Sequence, residues 1–164
     1  MKYEFLIQPQ QPGTAYDPAP LDALLEARGA PKRPDGVRTL RLKGGDIELG
    51  PYREAGAVVA TEVKVPMSDR ADLVREAFVE TLGMASALGL KVVDPQLARS
   101  VILNDESVVA VTYLRAADYA GRYSGDSGAV SAAAGAQSYG LPPGSKLFLI
   151  LAVLALALFL LLNP

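Results

Sequence analysis

The chain has 164 residues and an almost balanced charge, with 16 Lys and Arg against 18 Asp and Glu. It contains neither cysteine nor histidine, which excludes disulfides, cysteine nucleophiles, histidine-dependent triads and most transition-metal sites. Because no net field attracts polyanions, we expect no nucleic-acid partner, and the missing residue types lead us to expect no cofactor.

The N-terminal half carries the alternation of apolar and polar residues that is typical of strands with one packed face. Tyr3, Phe5 and Ile7 predict a first strand. Asp17 and Pro18 favour the start of a short helix. Later elements are predicted as strands at 37–42, 47–49 and 57–65, with a hairpin turn at 43–46.

The next segment predicts a helix followed by the closing strands. Ser68 or Asp69 is expected to cap the helix, which contains Gly83 as a weak point and ends before Gly89. Glu76 and Glu80 are predicted to lie on its solvated face. Strands are predicted at 91–93, 97–103 and 107–114, with a turn at 104–106.

This order of elements predicts an α+β fold for residues 1–120. It matches the ferredoxin-like split βαβ pattern, an antiparallel sheet with two helices on one face. There is room for one such domain of about 120 residues.

The C-terminal part of the sequence differs in composition from this domain. Residues 121–146 are rich in Gly, Ser, Ala and Pro, which predicts a flexible linker. Within it, 125–128 reads Gly-Asp-Ser-Gly and resembles the nucleophile motif of chymotrypsin-like serine proteases. That chemistry needs a histidine, so we interpret the motif as part of the linker.

Residues 147–162 form an uninterrupted apolar segment that predicts a single transmembrane helix. As a helix it would be about 24 Å long, slightly short for a bilayer core. A buried core helix or a removable lipid-anchor signal are the alternatives. The residues expected to contact lipid most directly are Leu147, Phe148, Leu151, Leu154, Leu158, Phe159 and Leu162.

The orientation of this anchor follows from its flanks. The N-terminus lacks the apolar run of a signal peptide, and Lys146 precedes the anchor. We therefore expect a single-pass, tail-anchored protein with its N-terminal domain on the cytoplasmic side.

A basic segment is the main candidate binding surface. Six basic residues accompany one acid, Asp35, between positions 28 and 43. They could contact anionic headgroups or an acidic partner, although a solvated surface is the simpler interpretation. The six residues are Arg28, Lys32, Arg33, Arg38, Arg41 and Lys43.

Two acidic groups are weaker candidates for a metal or for acid–base chemistry. Asp46 and Glu48 would share one face of a strand. The group at 104–106 lacks the ligand spacing of a calcium loop. We predict no metal site and no catalytic residue at either place.

The sequence favours a non-enzymatic membrane protein whose domain binds or recruits a protein partner. An accessory single-pass subunit of a larger membrane complex is one alternative. The other is a small membrane-associated enzyme that uses carboxylate, Arg or Tyr side chains. The missing histidine and cysteine favour the first hypothesis.

Overall fold

A computed structural model describes residues 1–124 as an α+β domain with a six-stranded antiparallel sheet and helices. This confirms the predicted α+β class. The linker from 125 onwards and the apolar segment 147–162 lie outside the described residues. The strands are β1 (Lys2–Pro9), β2 (Arg38–Leu42), β3 (Gly45–Glu54), β4 (Ala57–Pro66), β5 (Leu90–Asp94) and β6 (Arg99–Val101), and the helices are α1 (Ala19–Ala27), α2 (Asp72–Ala87) and α3 (Glu106–Ser124).

The strands lie in the order β2-β3-β4-β1-β5-β6, and every neighbouring pair is antiparallel. The chain leaves β4, crosses through α2 and returns as β5, with β1 inserted between these two strands. β2 and β6 are the two edges of the sheet. The segment between α2 and α3 contains β5 and β6 and therefore forms one side of the sheet, with β6 as its edge strand.

One face of the sheet carries the hydrophobic core. Phe5 is paired with Val63, and Ile7 with Val92, so their side chains share a face. Phe78 of α2 packs there with its ring centroid 5.8 Å from that of Phe5. Buried residues of all three helices belong to the same cluster, including Leu21, Leu25, Val74, Val109 and Tyr113.

α2 begins later than predicted and is joined to the β2–β3 hairpin. Its N-cap is Ala71, with no capping side chain, so the prediction of a Ser68 or Asp69 cap was wrong. Glu76 accepts hydrogen bonds from the main-chain nitrogens of Lys43 and Gly44, each at 2.8 Å. These bonds hold the pKa of Glu76 below its usual range. Glu76 thus fixes the hairpin turn instead of only facing solvent.

The largest correction concerns residues 107–114, which form the first half of α3 and not a strand. The valines in this segment favour a strand locally. Val109 and Tyr113 are four residues apart and both buried, which fits a helix packed on the sheet. The Tyr113 hydroxyl also donates to the carbonyl of Pro66 at 2.8 Å and accepts from the nitrogen of Ser68 at 2.7 Å. Tertiary packing therefore overrides the local preference.

α3 continues to Ser124, so residues 121–124 at the start of the predicted linker are helical. Between Met1 and Ser124, no helix is both long and apolar enough to cross a membrane.

Candidate functional site

The six predicted basic residues are distributed among different acidic partners. Lys32 and Arg38 meet at Asp22, at 2.7 and 3.0 Å. The others form separate contacts: Arg28 pairs with Glu80 at 2.7 Å, Arg33 with Asp35 at 3.3 Å and Arg41 with Asp46 at 3.4 Å, while the main-chain nitrogen of Lys43 binds Glu76. The structure thus brings together two of the six.

Arg38 lies within the fold, with only 5% of its surface exposed. Its Nη1 donates to Glu26 and to the carbonyl of Ala30, both at 2.6 Å, and its Nε donates to Asp22. Burial alone would raise the pKa of Asp22, but the hydrogen bonds from Lys32 and Arg38 lower it. These contacts hold the end of α1 against the edge strand β2. The positive charge of Arg38 is compensated by the carboxylates of Asp22 and Glu26.

The predicted acidic groups are also engaged in local contacts. Asp46 pairs with Arg41, and Glu48 pairs with Lys2 from β1. Within residues 1–124, no group of three or more acidic side chains is placed to hold a metal ion.

A groove of about 630 Å³ lies between α2 and the edge formed by β5 and β6. We call it the α2–β6 groove. Sequence patterns give little indication of it, since they predict a strand at 97–103 that includes Ile102 and Leu103. Its lining includes Val79, Leu82, Gly83, Lys91, Ile102 and Leu103.

Apolar side chains protrude into solvent along this groove. Ile102 and Leu103 are 63% and 60% exposed, and Val79 on α2 is 44% exposed. Because each is already partly buried, full burial against a partner would gain roughly 1–1.5 kcal/mol per side chain, before the cost of association. The α2–β6 groove therefore has the composition of a docking surface.

Gly83 lies on the side of the groove that α2 forms, and it has no side chain to cover the helix backbone there. A glycine inside a helix costs about 1 kcal/mol relative to alanine, which the sequence marked as a weakness. A Cβ added at Gly83 would meet no atom within 4 Å, so the packing of this domain does not require the glycine. Its effect is to leave the backbone of α2 accessible from the groove.

An ion pair covers part of the free edge of β6. Arg99 and Asp105 form two bonds, with Nη1 2.9 Å from Oδ2 and Nη2 2.7 Å from Oδ1. Arg99 Nη1 also donates to the carbonyl of Ser100 at 3.1 Å. Asp105 Oδ2 accepts from the nitrogen of Ile102 at 2.9 Å. These side chains occupy main-chain groups that an incoming strand would otherwise pair with.

We expect Asp105→Asn to destabilise the domain near pH 6, with a loss that shrinks on acidification. The hydrogen bond from Arg99, followed by that from Ile102, lowers the pKa of Asp105 from its ordinary 3.8 to about 2. A carboxyl whose folded pKa is depressed stabilises the fold above the unfolded pKa, and this contribution disappears as the pH falls through 2. Urea midpoints at pH 6, 4 and 2 measure the effect.

Asp118→Asn provides the matched control, because Asp118 also forms an ion pair, with Arg122, but on the surface of α3 alone. A difference between Asp105→Asn and the wild type that stays constant from pH 6 to pH 2 would contradict the assignment.

No family model matches this chain, and no curated protein or solved structure shows significant similarity to it.

Proposed function

We propose that this chain is a non-enzymatic, tail-anchored membrane protein whose N-terminal domain recruits a protein partner on the cytoplasmic side. The observation that carries the recruitment proposal is the α2–β6 groove, where Val79, Ile102 and Leu103 present apolar surface to solvent. Clustered apolar side chains of this kind favour protein contacts. The apolar sequence of residues 147–162 supports the anchor.

We further propose that the domain is a ferredoxin-like unit with additions at both edges. The strand order β3-β4-β1-β5, with α1 and α2 as crossovers, has the split βαβ arrangement. β2 then extends one edge, while β6 and α3 extend the other. In this proposal the α2–β6 groove lies where the added C-terminal elements join the common core.

The anchor is tested by placing two charges in its centre. Each arginine at the middle of a spanning helix costs about 2.5–3.5 kcal/mol on the insertion scale. The double variant Leu151→Arg/Leu154→Arg should therefore offset the gain of about 5 kcal/mol from the apolar residues. We expect the wild type to float with lipid vesicles and resist alkaline extraction, and the double variant to do neither.

The double variant Leu151→Ile/Leu154→Ile keeps the segment apolar and is the control. Extraction of the wild type by alkaline carbonate would contradict the anchor.

Recruitment is tested separately by Ile102→Ser/Leu103→Ser in the full-length chain. We expect a stoichiometric partner purified with the wild type to be lost from this variant. If the partner is retained there but lost when Ala152 and Ala155 are both changed to leucine, its contact lies in the apolar segment. That outcome would favour the accessory subunit over the recruitment module.

A further inference from the structure

We propose that two copies of this chain pair through the sheet face that lies opposite the hydrophobic core, which we call the open face. Leu6 and Val93 form the centre of the contact, and Glu4 of each copy bonds to Lys91 of the other. This pairing goes beyond the proposed recruitment of a partner, because it uses the side of the sheet that does not carry α2.

The open face is largely left to solvent in a single copy. In β1, Glu4, Leu6 and Gln8 alternate with the core side chains and therefore point away from the core. Leu6 is paired with Val93, and Gln8 with Lys91, so these β5 residues share the open face. The three described helices contribute their buried side chains to the core on the opposite face. Glu4, Leu6, Lys91 and Val93 all remain partly exposed.

Glu4 is the carboxylate of this face that has no ion-pair partner among residues 1–124. Neighbouring charges on the same face are paired, Lys2 with Glu48, and Lys64 with Glu62 at 2.7 Å. Lys64 lies across from Glu4 in the strand register but bonds to Glu62 instead. Burial, followed by repulsion from Glu62, raises the pKa of Glu4. A further cation beside Glu4 would therefore stabilise its charged form.

Lys91 is the matching cation. Its Nζ donates to the main-chain carbonyl of Gln10 at 3.0 Å, and no carboxylate of residues 1–124 forms an ion pair with it. A carbonyl satisfies one of the three donors of an ammonium group but does not neutralise its charge. The open face thus carries one unmatched acid and one unmatched base.

The two unmatched charges are arranged so that a second copy supplies both complements. Lys91 is paired with Gln8, four residues along β1 from Glu4, so the two charges lie about 13 Å apart along the strand direction. Leu6 and Val93 are paired midway between them. A two-fold axis that crosses the strands at this pair places Glu4 of one copy opposite Lys91 of the other, and the reverse. Any other partner would need an acid and a base with the same spacing.

The size of the open face predicts a weak, reversible dimer. Five strands spaced about 4.8 Å apart and seven residues of about 3.3 Å each give a footprint on the order of 500 Å² per copy. That is below the roughly 800 Å² per partner of a standard interface. Stacked sheets lie about 10 Å apart, a gap that the long side chains of Glu4 and Lys91 can bridge together. The charged pairs would therefore determine orientation more than affinity.

Because the sequence contains no cysteine, single cysteines allow a cross-linking test in the full-length chain. Ser100 is exposed and is paired with Val93, so it lies on the open face near the proposed axis. We expect Ser100→Cys, purified in dodecyl maltoside and treated with a short bismaleimide, to yield a covalent dimer. Ser107→Cys is the matched control and should yield much less, because Ser107 is exposed on α3, which packs on the opposite face.

Charge reversal tests the proposed pairs in the Ser100→Cys background. Lys91→Glu or Glu4→Lys places like charges opposite one another in both symmetry-related contacts, and each should lower the cross-linked fraction at least about fivefold. The combination of Glu4→Lys with Lys91→Glu restores opposite charges and should return the fraction to within about twofold of the parent. Asp118→Lys, on the surface of α3, should leave it unchanged. Thermal unfolding verifies that each variant is folded.

No dimer from Ser100→Cys, or equal yields from Ser100→Cys and Ser107→Cys, would overturn the inference, because copies that merely share a micelle cross-link at either site. A yield that the single charge reversals leave intact, or that the double reversal fails to restore, would also overturn it. So would cross-linking of Ser100→Cys to a different polypeptide in place of a second copy. Ile102→Ser/Leu103→Ser should dimerise normally, so loss of the recruited partner and loss of the dimer are separate results.

Discussion

Asp94→Ala is expected to lower the free energy of unfolding by about 3 kcal/mol, because it leaves buried donors without a partner. Asp94 and Tyr3 are both fully buried, and the Tyr3 hydroxyl donates to Asp94 Oδ2 at 2.6 Å. Asp94 Oδ1 accepts from the main-chain nitrogens of Gln96 and Leu97, at 2.8 and 3.1 Å. Burial, followed by the bond to Asp94, raises the pKa of Tyr3.

Asp94→Asn separates the loss of hydrogen bonds from the loss of charge. An asparagine oxygen can still accept from Gln96 and Leu97, and its amide can donate to the Tyr3 oxygen, since a tyrosine hydroxyl both donates and accepts. We therefore expect this variant to lose only about 1 kcal/mol. Urea unfolding followed by circular dichroism measures both. An equal loss in Asp94→Ala and Asp94→Asn would show that the charge, and not the hydrogen-bonded turn, stabilises this position.

The consequence of Asp94→Ala should extend to the α2–β6 groove. The turn that Asp94 organises connects β5 to β6, and β6 leads directly to Ile102 and Leu103. Loosening this turn would change the position of the groove wall without altering any groove side chain. In Asp94→Ala, hydrogen exchange should therefore increase more at residues 95–103 than in β3, which lies near the opposite edge of the sheet.

Phe78→Ala is expected to cost about 4 kcal/mol, because it removes a large side chain from the centre of the core. Phe78 is fully buried in α2 and its ring lies against that of Phe5 on β1. The cavity left behind lies between helix and sheet, where the helix cannot collapse without displacing its neighbours. The midpoint of chemical denaturation should fall accordingly.

The next residue of the same helix provides the control. Val79 is 44% exposed and lines the α2–β6 groove, so Val79→Ala should change stability by less than about 1 kcal/mol. It should instead weaken retention of the partner that purifies with the wild type. If Val79→Ala destabilises the domain as much as Phe78→Ala, the orientation of α2 on the sheet is different from that described.

The first strands were the part of this fold that the sequence predicted best. In β1, Tyr3, Phe5 and Ile7 point to the core, and period-two alternation follows directly from having one packed face. The helix α3 was not predictable in the same way. Its valines have a strand preference, and the helix is stabilised there by the burial of Val109 and Tyr113 in the core and by the contact of Tyr113 with the end of β4.

The candidate functional sites were difficult to predict from sequence for the same reason, because they depend on tertiary contacts. Six basic residues between positions 28 and 43 suggested a charged surface, but Asp22 and Glu80 come from helices that are distant in sequence from some of their partners. Burial of Arg38 likewise depends on how α1 meets β2. The α2–β6 groove is assembled from an exposed face of α2 and a short edge strand, neither of which has a distinct signal. Gly83 was the one visible sign, and its meaning required the three-dimensional arrangement.

The covered edge of β6 has a consequence for contacts between copies of this protein. An open sheet edge can pair with the edge of a second molecule and promotes stacking into fibrils. The guanidinium of Arg99 and the carboxylate of Asp105 cover part of that edge. The same pair that borders the α2–β6 groove thus hinders edge-to-edge pairing between copies of the domain.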